Sequence, residues 1–324
     1  YRNKGVKIES STFARATFSP NGRIDIYADM QMRIVDYRIN GFADDLFDID
    51  FRQLYPFFNP KVGANWNPSK HHRLYFAAGL SHREPTRSDI KDAVGRGDTV
   101  KDEALIDLEL GYRFQGQRAT ASAGGYAMLY KDQLTPSGNL SSSGYALMEN
   151  VEKSYRVGLE LAGGWKAVEW VRIDANLTLS ANKILDYLYT DFAEGETELH
   201  TYRGNTDLSF SPALVSAAMA TFSPIEDMKI QLSGKYVGSQ YLDNTSRDCY
   251  RQPAYWLLNL KVGYTWHLCG EREIEAQIAA NNLLNRQYRI GAWAGDDYWD
   301  GYHHYCGWYQ QPGFNLTARL ALRL

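Results

Sequence analysis

Residues 171–183, VRIDANLTLSANK, alternate without a break. Val171, Ile173, Ala175, Leu177, Leu179 and Ala181 take one set of positions. Arg172, Asp174, Asn176, Thr178, Ser180 and Asn182 take the other. A period of two places the sets on opposite faces of a β-strand. The pattern recurs in LIDLELGYRF (105–114), SYRVGLELAGGW (154–165), YWLLNLKVGYTWHL (255–268) and FNLTARLALRL (314–324). About thirteen strands follow, over 7–17, 23–38, 58–67, 72–83, 103–114, 118–130, 154–166, 170–183, 209–222, 228–240, 255–268, 272–281 and 313–323. Many exceed the roughly 5–6 residues usual in soluble sheets and match the roughly 9–11 needed to cross a bilayer.

The connections fall into two classes that alternate strictly. Short ones lie at 19–22, 67–70, 115–117, 166–169, 223–227 and 269–271; long ones lie at 39–57, 84–102, 131–153, 184–208, 241–254 and 282–312. In an antiparallel meander this sends every short turn to one end and every long loop to the other. That asymmetry belongs to outer-membrane barrels, with short periplasmic turns and long outer loops. The fold class is therefore all-β, a transmembrane antiparallel β-barrel whose apolar set meets lipid and whose polar set lines a wet lumen. A soluble sandwich would need shorter strands and would not sort its turns. Trp66, Trp165, Trp170 and Trp266 all sit beside short turns, as an interfacial girdle requires. Thirteen strands leave the chain ends on opposite sides, whereas bacterial single-chain barrels have an even number. Further strands are expected upstream.

Composition fits this picture. The 324 residues carry a formal charge of −3, which gives no reason to expect a nucleic-acid partner. The mean hydropathy of −0.45 suits a barrel, in which only alternate residues touch lipid. No apolar run is long enough for a transmembrane helix. The 23 Tyr, 13 Phe and 8 Trp point to a binding surface, a membrane interface or both. The opening YRNKGVKIESS has no signal-peptide core. No GxSxG, HExxH, Walker loop or CxxC is present, so the protein is not expected to be an enzyme and needs no cofactor. A passive porin and a barrel hydrolase are the rival classes.

In order and spacing, several stretches together resemble the C-terminal part of a TonB-dependent outer-membrane receptor, especially those of Bacteroidetes. They are FNPKVGANWNPSKHHRLYFAAGLSHREPTRSDI (58–90), DLELGYRF (107–114), SYRVGLELAGGW (154–165), KYVGSQYLDNT (235–245), AANNLLNRQY (279–288) and the terminal GFNLTARLALRL. The resemblance implies a 22-stranded barrel filled by an N-terminal plug, with residues 1–324 forming its last thirteen strands. The plug, its TonB contact and the earlier strands lie outside this sequence. The implied partners are TonB, a metal chelate or other bulky nutrient, outer-membrane lipids and a possible surface lipoprotein. The implied activity is energised uptake, first of a ferric siderophore, with cobalamin or haem as alternatives. The last strand of the family ends in an aromatic residue, where this chain has Leu324.

The 282–312 loop is the richest candidate site. Arg286 and Arg289 open it, and Trp293, Tyr298, Trp299, Tyr302, Tyr305 and Trp308 follow. Such a group can stack on a planar ligand while the arginines meet an anionic chelate; it can equally form the loop's own core. His303 and His304 invite haem ligation, but adjacent residues rarely reach one ion. HREPTRSDI matches only the first part of the Arg-Pro, His and Asn-Pro-Asn-Leu element of haem receptors. Asp296, Asp297 and Asp300 lack calcium-loop spacing. FADDLFDID (42–50) mixes acidic and aromatic residues that can face a lipoprotein, and His71 and His72 are expected in periplasmic solvent. Cys249 and Cys306 both fall in long loops and Cys269 in a short turn, so a Cys249–Cys306 disulfide is expected.

Overall fold

The computed structural model describes residues 2–43, 48–95, 97–141, 144–192, 199–268, 272–297 and 303–323. Its strands are β1 (Arg2–Asn21), β2 (Ile24–Phe42), β3 (Phe51–Ser69), β4 (His72–Arg83), β5 (Glu103–Gln115), β6 (Ala119–Leu140), β7 (Ala146–Val168), β8 (Val171–Phe192), β9 (Leu199–Asp207), β10 (Leu214–Phe222), β11 (Met228–Val237), β12 (Gln240–Tyr241), β13 (Arg251–Gln252), β14 (Tyr255–His267), β15 (Glu273–Asn281), β16 (Arg289–Asp297), β17 (His303–Gln310) and β18 (Asn315–Arg323). Helix α1 spans Arg87–Gly95. The thirteen long strands pair in the order β1-β2-β3-β4-β5-β6-β7-β8-β10-β11-β14-β15-β18, and β9 adds to β8. Every pair is antiparallel. Both β1 and β18 pair with a single neighbour, so the described residues form an open, curved wall of a barrel.

The two faces have opposite chemistry. Leu110, Leu161, Ile173, Leu179, Leu232 and Ile278 stand exposed on the convex face. Their neighbours Arg113, Ser122, Asp174, Asn176, Lys235 and Asn259 line a concave space of about 750 Å³. A continuous exposed apolar surface of this extent marks contact with lipid. Trp66, Trp165, Trp170 and Trp266 are each about half exposed beside the short turns, where a headgroup layer would meet them. On the inner wall three tyrosines lie over glycines of the next strand: Tyr27 over Gly63, Tyr75 over Gly111 and Tyr126 over Gly158. A Cβ on any of these glycines would fall within 2.5 Å of the ring.

The strands run further than their apolar bands. β6, β7 and β8 have 22, 23 and 22 residues. Most of 39–57, 131–153 and 184–208, expected as loops, is sheet that continues above the bilayer. The apolar set changes face as it leaves the lipid. On β2, Ile26, Met30, Met32 and Ile34 point outward and are exposed, whereas Val35, Tyr37 and Ile39 point inward and are buried. With Tyr55, Phe57 and Ile90 of α1 they form a core inside the barrel mouth. The 209–222 strand is shorter than expected, because Phe210 has φ +51° and Pro212 follows before β10 begins.

Helix α1 lies inside the segment 84–102, expected as an irregular loop. Thr86 and Asp89 cap it reciprocally: the Asp89 carboxylate accepts from Thr86 N–H at 2.8 Å, and Thr86 Oγ1 accepts from Asp89 N–H at 3.3 Å. Glu84 anchors the segment to the wall. Its carboxylate accepts from both terminal nitrogens of Arg33, at 2.6 and 2.8 Å, and from Lys7. Arg33 also holds Glu9 at 2.8 and 2.9 Å. Burial alone would push the Glu84 carboxyl up, but the bonds from Arg33 and Lys7 outweigh it and hold it at about 2.

Candidate functional site: the outer mouth

The 282–312 segment is a hairpin, β16–β17, and it does not project freely. β16 reaches β6, far along the wall from β15 and β18, which carry the hairpin. It crosses the mouth above the intervening strands. One hairpin face presents Ala292, Ala294, Cys306 and Trp308 to a core of Leu242, Tyr250 and Phe210. The opposite face alternates aromatics with glycines across the ladder: Gly291 faces Tyr309, Trp293 faces Gly307, and Gly295 faces Tyr305. The Trp293 and Tyr309 rings lie 5.5 Å apart, and Tyr305 and Tyr309 remain about half exposed.

The bed beneath is the 241–254 segment, which is sewn onto the upper sheet by buried polar groups. Asn244 Oδ1 accepts from Ser209 N–H at 3.0 Å, and its Nδ2 donates to the Pro136 carbonyl at 3.1 Å and to Glu149. Tyr187 donates to the same Glu149 oxygen at 2.8 Å; burial and that carboxylate together raise the phenol's pKa. The LDNT stretch thus has a physical role that its sequence did not disclose: a fully buried amide that satisfies three partners.

Arg286 and Arg289 come together. With Tyr255, Tyr288, Gln252 and Gln310 they line a cavity of about 400 Å³. The Arg289 guanidinium also lies over the Trp308 ring, 4.6 Å from its centroid. Asn282 builds the turn, with φ +50°: its Oδ1 accepts from Arg286 N–H at 2.9 Å and its Nδ2 donates to the Arg286 carbonyl at 2.8 Å. The expected residues therefore divide. Arg286 and Arg289 share a cavity, Trp308 packs beneath Arg289, and Trp293 and Tyr305 lie on the other hairpin face. Tyr298, Trp299 and Tyr302 lie outside the described residues.

His304 is absorbed into this scaffold. Arg247 donates to its Nε2 at 3.4 Å, and its Nδ1 lies 3.0 Å from Tyr250 Oη, which itself donates to the Gly295 carbonyl at 3.1 Å. Both ring nitrogens of His304 are thereby engaged within the scaffold. Arg247 also stacks on Tyr250 at 4.6 Å. Among the described residues no group of three His, Cys, Asp or Glu is placed to hold a metal ion. His72, expected in solvent, instead packs against the Tyr112 and Phe114 rings and lies 2.7 Å from Tyr112 Oη.

Cys249 and Cys306 are neighbours. The Cys306 thiol donates to the Cys249 carbonyl at 3.5 Å, and their sulfurs are not bonded to each other in the structure. Burial, then the nearby Cys249, pushes the Cys306 thiol up to about 11. Cys269 lies outside the described residues.

A model of the family described as "TonB dependent receptor-like, beta-barrel" matches residues 1–283. No curated protein matches the chain in sequence. Solved structures share the fold. The copper transporter OprC is 15% identical with a TM-score of 0.74, over 98% of this chain and 48% of that one. The siderophore receptor PiuA from Acinetobacter baumannii is 13% identical with a TM-score of 0.72, over 99% and 43%. The unliganded ferric citrate transporter FecA is 17% identical with a TM-score of 0.71, over 99% and 46%. The chain spans about half the length of these structures.

Proposed function

The chain belongs to the TonB-dependent receptor-like β-barrel family and is an outer-membrane barrel protein, and from that premise we propose that it is the C-terminal barrel portion of an energised importer whose cargo is a ferric siderophore. The mouth supports this reading. Arg286 and Arg289 share a cavity with Tyr255 and Tyr288, so two cationic side chains and two aromatic ones line the same space. That pairing suits a bulky anionic chelate with planar edges. PiuA is a siderophore receptor and FecA a ferric citrate transporter, and the same cargo class suits this cavity. Cobalamin is the second candidate. Haem ranks below both, since His304 uses both ring nitrogens on Arg247 and Tyr250.

The mechanism is binding followed by translocation, with no chemical change to the cargo. The outer mouth holds the chelate from above. A plug on a preceding segment closes the lumen from below, and TonB pulls on it to weaken the site and open a path. The short motifs further suit the Bacteroidetes branch, in which a surface lipoprotein partner would sit over the mouth. The observation that carries the proposal is the Arg286/Arg289 cavity. In the whole receptor, Arg286→Gln with Arg289→Gln is expected to weaken ferric-siderophore binding at least tenfold; unchanged binding would remove this cavity from the site.

A further inference from the structure

We propose that the upper wall is split by a lateral seam between β3 and β4, and that the segment 84–102 is a strap that joins the two sides of the seam and sets the width of the mouth. The β3–β4 ladder stops at Lys61↔Gly79, although β3 runs on to Phe51 and β4 to Arg83. Among the described residues no other strand takes β4's place. Two prolines account for the stop. Pro60 and Pro56 pair with Met30 and Ile34 of β2. Proline has no N–H, so both are non-hydrogen-bonded pairs of that ladder, and the even-numbered residues of β3 turn their N–H and C=O groups toward β4. Carried past Gly79, the register would set Pro60 against Leu80 and Pro56 against Glu84. Each pair would need a donor that proline lacks, as on a guarded sheet edge. Meanwhile β3 stays paired to β2 as far as Phe51↔Ile39, and β4 to β5 as far as Arg83↔Glu103. The upper wall is therefore two leaves, β1–β3 and β4–β8, joined by backbone bonds only lower down. In the gap, His82 Nδ1 lies 3.0 Å from Asn59 Oδ1, and the His82 ring stacks on Phe57 at 5.3 Å.

The segment 84–102 crosses from one leaf to the other. At its start Glu84 is held by Lys7 of β1 and by Arg33 of β2, the arginine at 2.6 and 2.8 Å. Helix α1 then sets Ile90 into a core of Val35, Tyr37, Ile39, Tyr55 and Phe57, all from β2 and β3, with Val94 and Val100 against the same core. At its end the segment changes leaf. Lys101 N–H donates to Asn150 Oδ1 of β7 at 2.8 Å, and Asn150 Nδ2 donates back to the Lys101 carbonyl at 3.2 Å. The same amide donates to the Asp132 carbonyl of β6 at 2.7 Å, and the Lys101 ammonium pairs with the Asp132 carboxylate at 3.2 Å. The chain thus leaves β4, grips the first leaf and returns to the second before entering β5. Side chains do across the seam what backbone bonds do in the rest of the wall. A ladder opens only at the cost of all its bonds, whereas a strap has two ends that can be released while the sheet stays intact. Its release lets the leaves part without breaking a ladder bond. The seam is where the mouth can widen, whatever cargo it takes.

The test measures distances between spin labels on the intact receptor in lipid nanodiscs, with its native cysteines replaced by serine. Ile34→Cys on β2 with Leu129→Cys on β6 spans the seam. Ala28→Cys with Ala127→Cys spans the same strands along the row Ala28, Val62, Ala78, Leu108, Ala127, where every ladder is closed. Both pairs are expected to give one narrow distribution while the strap is attached. Freeing both of its ends with Glu84→Ala and Asn150→Ala is expected to broaden the seam pair about twofold or more and to leave the lower pair unchanged. A seam pair that stays as narrow as the lower one would overturn the proposal, as would equal broadening of both. Amide exchange on the unlabelled wild type decides even if that variant fails to assemble. The N–H groups of Leu54 and Phe58, which face the seam, are expected to exchange about tenfold or more faster than those of Tyr55 and Phe57, which bond to β2. Equal protection of the four would mean a closed wall and would overturn the seam.

Discussion

The indole of Trp293 lies flat over Gly307 across the β16–β17 ladder, so close that a Cβ on the glycine would sit 1.9 Å from the ring. Tyr305 covers Gly295 in the same way, with a Cβ at 2.4 Å. The glycines are what let the aromatics lie down. Gly307→Ala is therefore expected to lift Trp293 and to destabilise the hairpin by about 1–3 kcal/mol. The check is the emission maximum of Trp293 in a receptor whose other tryptophans are replaced. A red shift is expected; an unmoved spectrum would contradict the packing.

The Glu84 anchor gives a pH dependence with a definite sign. A carboxyl held at about 2 in the folded state and ordinary when the segment is released stabilises the docked segment fully above the ordinary value of 4.5. That contribution is lost as pH falls through about 2. Hydrogen exchange in Arg87–Gly95 is expected to be slow at neutral pH and to lose protection, relative to the barrel strands, between pH 4.5 and 2. Glu84→Ala should open the segment at all pH values, at a cost of about 3 kcal/mol, because Arg33 and Lys7 lose a buried partner. A helix equally protected in that variant would show that the anchor is not needed.

Cys249 and Cys306 lie close together, with the Cys306 thiol 3.5 Å from the Cys249 carbonyl. A Cys249–Cys306 bond would fasten the hairpin to its bed, and maturation in an oxidising compartment is expected to form it. Non-reducing peptide mapping of the receptor from its native membrane should recover the cross-linked pair. Recovery of both as alkylated thiols would exclude the bond.

The limits of sequence reading can be located in particular residues. The thirteen wall strands were legible because lipid enforces one rule over the whole span: Val171, Ile173 and Leu179 outward, Arg172, Asp174 and Asn176 inward. The rule fails where the lipid ends. At Ile34 and Val35 the apolar set changes face, since water now surrounds the outside and α1 covers the inside. Read as barrel, that inversion resembles loss of pattern, so 39–57 passed for loop. The Thr86/Asp89 cap was a readable signal for α1. The aromatic load of 282–312 was visible too, but its division between a packed face and an exposed one depends on the register that sets Trp293 against Gly307 and Trp308 against Ala292. The clamp at Asn244 left no local mark, because its partners Pro136, Glu149 and Ser209 are distant in sequence.

If His304 is a structural residue, its removal should leave any haem binding unchanged and loosen the mouth. His304→Ala strands the Arg247 and Tyr250 groups that now bond to it, at an expected cost of about 1–3 kcal/mol. Faster proteolysis within 241–254, with no change in haem absorbance, is the expected result. Loss of a haem Soret band in the variant would restore a ligand role.

The most direct test of the central reading is a binding titration on the whole receptor, plug included, against ferric siderophores, cobalamin and haem, followed by tryptophan fluorescence. Saturable, tight binding of a ferric siderophore that is lost with Arg286→Gln and Arg289→Gln is the predicted result. Tight binding of another cargo, indifferent to both arginines, would contradict it.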